Sequence, residues 1–459
     1  MKIYLLSFLL ILAFVFSAKI TLKEGESTKL TKTKKQLFLE HPFDSYIEKF
    51  NKNYEPKEYK ARKDIYIKNL ERIKKHNEDE TQTWKAGENQ FTDWTKEEFH
   101  AYLTKFTMPE LEFTPLDRSK LQPLTALPVT VDWRDNITSV KDQGSCGGCW
   151  SFSAVAVAES AFKIHEDILM DLSQQQLISC QTSCSGCNGG VTSYGLNYIK
   201  DNGACGDYLW GYAAQDQDCS GTSKTNCESN ANVFVTDINT TYIYTLPENE
   251  RVDALMQIVA TYGSVGVAID ADSLSDYDDG IATWMSCSSV YADANHAVTI
   301  VGYGTDGTTP FWRVKNSWGT GWGENGFFRF ARGSNICGIE NIAYFVEATS
   351  NGGLTKFTGA VTGLSVESAH DEFTLDWDSY PGAQRYFVKA IIDGELFLWE
   401  TSKIPATILV AGSYGDTTCW VGPILDSQYG ALGENITFNS AHSLVLSFFA
   451  FLLILFNFF

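Results

Sequence analysis

Cys149 stands where a thiol can be made reactive. The run Gln143-Gly144-Ser145-Cys146-Gly147-Gly148-Cys149-Trp150 leads straight into Ser151–His165, rich in Ala, Val, Phe and Ile and free of Gly and Pro, which predicts a buried helix. Cys149 then falls at a helix N-terminus, where unpaired backbone N–H groups and the macrodipole favour an anion and lower a thiol's pKa toward the thiolate. A nucleophilic thiol also needs a base. The only histidines between Pro128 and Ser350 are His165 and His296. His165 ends the same helix, about 24 Å away at 1.5 Å per residue, which leaves His296. Covalent catalysis by a thiol–imidazole pair is the chemistry these residues can do. The blander readings are a disulfide partner for Cys149 and an ordinary core imidazole for His296, and the scarcity of histidine weighs against the second.

Such a site needs a large folded domain, and the composition supplies one. With 44% hydrophobic and 14% aromatic residues in 459, wholesale disorder is excluded and a composite of about three domains is expected. The net charge of −20 excludes a nucleic-acid binder, which needs a basic surface. That charge is uneven. Residues 19–127 hold 21 basic and 19 acidic side chains, residues 128–459 only 14 against 37, so the chain changes character near residue 127. Eleven cysteines, ten of them between Cys146 and Cys337, suggest disulfides and an oxidising compartment. A zinc site at Cys180, Cys184 and Cys187 is the alternative, disfavoured by secretion and by the lack of a nearby histidine.

Both ends read as addresses. Met1–Lys2, the apolar run Ile3–Phe16 and Ser17–Ala18 form a secretory signal peptide (1–18). Leu444–Phe459 is apolar but for Ser447 and Asn457 and has no basic flank, as in a signal for a glycosylphosphatidylinositol anchor, with attachment near Asn439–Ala441 or Gly433; a transmembrane tail is the rival. Between them, Glu58–Glu78 shows helical spacing, and Tyr102–Ala126, with Pro109, Pro115 and Pro123, reads as a cleavable linker.

Glu58, Arg62, Tyr66, Asn69, Ile73 and Asn77, followed by Gly87-Glu88-Asn89-Gln90-Phe91-Thr92-Asp93, resemble the ERFNIN and G-x-N-x-F-x-D motifs of cathepsin L-like inhibitory propeptides. The region from Pro128 resembles the papain family of cysteine proteases, with Gly148 a small departure at the third position of the cysteine motif. The resemblance implies an α+β fold: a papain-like two-lobe protease (127–349), helical lobe plus β-barrel-like lobe, preceded by a helical propeptide (19–126). It implies Cys149 as nucleophile, His296 as its partner, Asn316 as orienter, Gln143 with the Cys149 N–H as oxyanion hole, and Trp318 as a shield over the His–Asn bond. Gly189 and Gly190 would pair with substrate backbone. Val191, Thr192, Ala268, Ala297 and Ile342 would line the pocket for the second residue before the scissile bond; no carboxylate stands there, so apolar side chains are expected. No cleft-blocking insertion appears between Cys187 and Gly203, which implies an endopeptidase.

The same resemblance pairs Cys146 with Cys187, Cys180 with Cys219, Cys205 with Cys227 and Cys287 with Cys337, leaving Cys184 and Cys419 unassigned. No metal or cofactor is implied. The implied partners are protein and peptide substrates and the chain's own propeptide, with membrane contact through the C-terminal signal (439–459) and a monomeric state. The expected location is the secretory pathway, as a lysosomal, food-vacuole, extracellular or surface-anchored enzyme. Asn136, Asn239 and Asn435 head glycosylation sequons.

Beyond Thr349, Glu372–Trp377, Arg385–Ile392, Glu395–Trp399 and Thr407–Val410 are β-prone runs punctuated by turn signals at Pro381-Gly382, Asp393-Gly394 and Tyr414-Gly415-Asp416. They predict a small β-sandwich (350–438) resembling a fibronectin type III domain through Trp377, Pro381-Gly382 and Tyr386. The rival function is a non-catalytic surface adhesion protein on a protease scaffold, against which the intact Gln143, Cys149, His296 and Asn316 argue.

Overall fold

The computed structural model describes residues 42–103, 116–121, 123–230, 233–350, 358–368, 372–393, 395–409 and 416–439. The expected signal peptide, the anchor signal beyond Asn439 and most of the linker before Leu121 lie outside them. Residues up to Lys75 together with Asn89–Thr95 form one compact unit, and His76–Glu88 with the chain from Lys96 onward form another.

In the first unit, α1 (Pro42–Lys49) and α2 (Pro56–Glu78, whose last three residues belong to the second unit) meet through Phe43, Tyr46 and Tyr66, with the two tyrosine rings 4.7 Å apart. Buried Asp93 accepts from Tyr46 at 2.9 Å and from Tyr54, and Asn69 Nδ2 donates to the carbonyls of Thr92 and Trp94, each at 2.8 Å. The spaced helix positions and the motif ending at Asp93 are thus one hydrogen-bonded assembly. Glu58 and Arg62 close it with a partly exposed ion pair.

The second unit opens with β1 (Trp84–Ala86) and α3 (Lys96–Tyr102), followed by β2 (Val131–Asp132) and α4 (Cys149–Glu166). Every residue of α4 from Cys149 to Phe162 is buried, which is why its sequence lacks a polar face. α5 (Gln174–Cys180), α6 (Thr192–Asn202) and α7 (Gly221–Ser229) complete the helical side. Then come β3 (Val233–Thr241), α8 (Glu248–Tyr262), β4 (Val265–Ile269), β5 (Tyr277–Ala282), β6 (His296–Asp306), β7 (Thr309–Lys315), β8 (Phe327–Ala331) and β9 (Ala343–Ser350). These strands form one sheet in the order β1-β5-β8-β7-β6-β4-β9-β3, with β2 on β6; α4 packs on β6 and β9. Disulfides join Cys146–Cys187, Cys180–Cys219, Cys205–Cys227 and Cys287–Cys337, and the sulfurs of Cys149, Cys184 and Cys419 are free.

The C-terminal part is two small sheets. One orders β10 (Ser365–Ser368), β11 (Glu372–Asp376) and β14 (Ala406–Leu409) as β10-β11-β14. The other holds β12 (Arg385–Ile392), β13 (Glu395–Thr401), β15 (Asp416–Leu425), β16 (Gln428–Tyr429) and β17 (Ile436–Asn439). Phe373, Leu375, Trp377, Tyr386, Val388 and Val421 share their core. Four strands here, β10, β15, β16 and β17, go beyond the sequence expectation. β15 was hidden by Gly422-Pro423, which reads as a breaker; Pro423 keeps its place by accepting from Gly430 N–H at 2.8 Å.

This part is fixed to the rest of its unit through a buried charge cluster. Fully buried Asp171 pairs with Lys141 and, at 2.9 Å, with Arg385 of β12; Arg385 also meets Glu400 of β13 at 2.6 Å, and Glu400 accepts from Ser139 and Tyr429. Backbone bonds from Asp171 N to Ser427 O and from Tyr429 N to Leu169 O reinforce the seam.

Candidate active site

Gly148 caps α4 without a side-chain hydrogen bond, so the first turn keeps free N–H groups, and Cys149 is its first residue. The Cys149 sulfur accepts from the N–H groups of Ala297 and Trp150. His296 opens β6 and shares a pocket with Cys149, Gly190, Val191, Thr192, Ala268, Ala294, Ala297 and Tyr344. Asn316 follows β7 directly, and its Oδ1 lies 2.8 Å from His296 Nε2. Because Oδ1 also accepts from Ser317 N–H at 2.8 Å, it must be an acceptor for the ring, so Nε2 carries hydrogen and Nδ1 is left as the basic nitrogen. Trp318 stacks on the imidazole at 4.7 Å.

Gln143 is zipped to the same segment: its N–H donates to Ser317 O at 2.8 Å, and its Oε1 accepts from Ser317 Oγ at 2.6 Å. The amide is thereby oriented with Nε2 free for donation; one of its bonds goes to Cys146 O at 3.0 Å. Gly190 is required sterically, since a Cβ there would meet Cys184 Sγ at 2.5 Å and the Trp150 ring at 2.8 Å. Gly189, at φ +113°, adopts backbone closed to most side chains.

Two expectations change. Ile342 does not line the pocket; it is sealed in the adjacent core, and Tyr344, two residues along on β9, lines it with Ala294. A one-residue reading of a strand end cannot tell which side chain reaches the wall. The second concerns charge. Burial pushes the Cys149 thiol up to about 11, against the pull of the N–H groups, and pushes His296 down to about 4 despite the Asn316 bond. In this covered state both groups are neutral.

The cover comes from α3. Phe99 meets Trp318 edge-on, Tyr102 lies 6.3 Å from the same ring, and the buried Tyr102 hydroxyl sits near Asp142, Cys149 and Tyr212. His100 Nδ1 is 2.8 Å from Asp272 Oδ1, which also accepts from Asn295, the neighbour of His296. Upstream, β1 adds antiparallel to β5, pairing Trp84 with Gly280, and Asn77 holds Ala86 through both backbone groups. Sequence reasoning missed Phe99 and Tyr102 as covering residues; only the register of α3 after the Asp93 motif could have pointed to them.

A cysteine at the mouth of a buried helix thus shares a pocket with a histidine that is paired to an asparagine on the sheet. The chain belongs to the papain family of cysteine proteases: residues 127–347 match that family, and residues 43–99 match the cathepsin propeptide inhibitor domain. The viral cathepsin of Bombyx mori nuclear polyhedrosis virus is 34% identical over 308 residues, covering 65% of this chain and 89% of that protein. Among solved structures, digestive procathepsin L 3 of Tenebrio molitor larval midgut (TM-score 0.58, 34% identity) covers 68% of this chain and 99% of its own. The recombinant stem bromelain precursor (TM-score 0.58, 32% identity) covers 66% and 97%. The protein is a cysteine peptidase in zymogen form whose propeptide acts as an intramolecular inhibitor.

Proposed function

We propose that the chain is an endopeptidase working through Cys149 and His296, and the observation that carries this is the His296–Asn316 bond at 2.8 Å beside the one free thiol at the start of α4. Once uncovered, His296 Nδ1 takes the Cys149 proton, and the thiolate attacks the scissile carbonyl. The oxyanion accepts from the Cys149 N–H and Gln143 Nε2. The imidazolium returns its proton to the leaving amine, and a water activated by His296 then hydrolyses the thioester and regenerates the thiol. Val191, Ala268, Ala294 and Ala297 support a preference for apolar side chains at the second position before the scissile bond.

The pattern at the N-terminus supports entry to the secretory pathway, and four disulfides suit an oxidising compartment such as a lysosome-like organelle or the cell exterior. Of the three sequons, Asn435 is exposed, while Asn136 and Asn239 are half-buried, which favours Asn435 for glycosylation. No helix among the described residues is long and apolar enough to cross a membrane; the apolar C-terminal run supports a lipid-anchor signal. Two facing sheets with Trp377 packed on Tyr386 at 5.3 Å support the fibronectin type III-like reading. The test is to label the acid-matured protein with a thiol-directed peptide epoxide and map the adduct. An adduct on Cys149 with loss of turnover is expected; an adduct elsewhere overturns the assignment.

A further inference from the structure

Behind the His296–Asn316 pair lies a cavity of about 20 Å³ walled by Lys141, Glu159, Gln174, Lys315, Asn316 and Ser317 among others. Two buried polar atoms on its wall lack hydrogen-bond partners, Asn316 Nδ2 and Gln174 Oε1. One is a donor and the other an acceptor. Leaving either unmet in a protein interior is costly, so each calls for a physical account. The other polar groups nearby are engaged: Glu159 accepts from Thr138 and from Leu172 N–H, and Lys315 Nζ donates to Thr138. The space suffices for one water, which needs about 10–15 Å³ and two to four polar partners.

We propose that this cavity binds a structural water bridging Asn316 Nδ2 to Gln174 Oε1, making Gln174 a positioning residue that fixes which end of the Asn316 amide faces His296. This rests on the reading of His296 and Asn316 given above. The amide has two ends of nearly equal shape. Ser317 N–H holds Oδ1 from one side, and the bridge holds Nδ2 from the other, so a rotation that presents N–H to the ring would break both. A flipped amide would set its donor against the His296 Nε2–H and remove the acceptor that stabilises the imidazolium. Gln174 is well placed to serve: it is 1% exposed and is the first residue of α5, whose Ser173 cap accepts from Gln176 N–H at 3.0 Å.

The test uses the full-chain protein after maturation. Gln174→Met keeps the length and removes the acceptor; Gln174→Glu keeps an acceptor. Gln174→Met should lower kcat roughly tenfold or more with KM little changed, and should move the alkaline limb of the kcat/KM profile to lower pH, because the imidazolium loses support. Gln174→Glu should restore most of both. The rate of Cys149 alkylation against pH gives the same readout without substrate. If Asn316→Ala moves the alkaline limb and Gln174→Met does not, the bridge is wrong and the role of Asn316 stands. If Asn316→Ala leaves the profile unchanged, the underlying site reading fails first. A high-resolution crystal structure with Asn316 Nδ2 bonded to a protein group instead of a water would also overturn the bridge.

Discussion

Phe99 meets the Trp318 indole edge-on with ring centroids 5.5 Å apart, and the same indole stacks on His296 at 4.7 Å. The inhibitory segment therefore rests on the indole that stacks on His296. In this covered geometry Cys149 and His296 already share one pocket, as the proposed mechanism needs.

Truncating that anchor should loosen the cover. Phe99→Ala in the full-length zymogen removes a buried aromatic contact, a change that commonly costs about 2 kcal/mol or more at an interface centre, so self-maturation at mild acidity should accelerate by roughly tenfold or more. An unchanged time course on gels would show that β1 pairing and Tyr102 hold the segment alone.

The pH dependence of maturation follows from proton counting. In the covered state the pair binds one proton between about 4, where His296 titrates, and about 11, where Cys149 does. An uncovered thiolate–imidazolium pair also holds one proton near neutrality. Neither state gains a proton over the other, so moderate acidification does not act through the catalytic pair. It must act on carboxylates at the cover, in a chain whose acidic excess lies beyond residue 127. Maturation should be faster at pH 4.5 than at 7.5, with cleavage in Leu121–Leu127. Equal wild-type rates at the two pH values would refute this trigger.

Gln143→Ala should lower kcat by roughly 10²–10³, the cost of one oxyanion donor. Since Ser317 Oγ fixes the orientation of the Gln143 amide, Ser317→Ala should reproduce a smaller part of that loss. A change in KM alone would place Gln143 outside the oxyanion hole.

Attachment can be tested on intact membranes. Phosphatidylinositol-specific phospholipase C should release a lipid-anchored protease, and residues 452–459 should be missing from the released protein. A mature peptide containing Leu452–Phe459 would favour a spanning tail.

The legible parts of the sequence were those under local constraint. The Gly- and Pro-free run after Cys149 became a helix buried on all sides, and the spaced positions Arg62, Tyr66 and Asn69 lie on a helix that meets the Asp93 segment. What stayed hidden depends on contacts distant in sequence. Tyr344 lines the pocket because of how β9 pairs with β4 at Gly266, and no local pattern encodes that. Gln174 reaches the cavity wall it shares with Asn316 only through the fold. Arg385 and Glu400 are drawn into the seam by Asp171, Ser139 and Tyr429, partners far from them in sequence.

That seam has a mechanical meaning. The described chain leaves the β-sheets at Asn439, on β17, which pairs with β15, whose neighbour β12 carries Arg385. A module held by a covalent connection alone would let the cleft point anywhere. Clamped by buried charges and backbone bonds, it is a lever, so a surface that grips the chain past Asn439 also sets the direction in which the cleft faces.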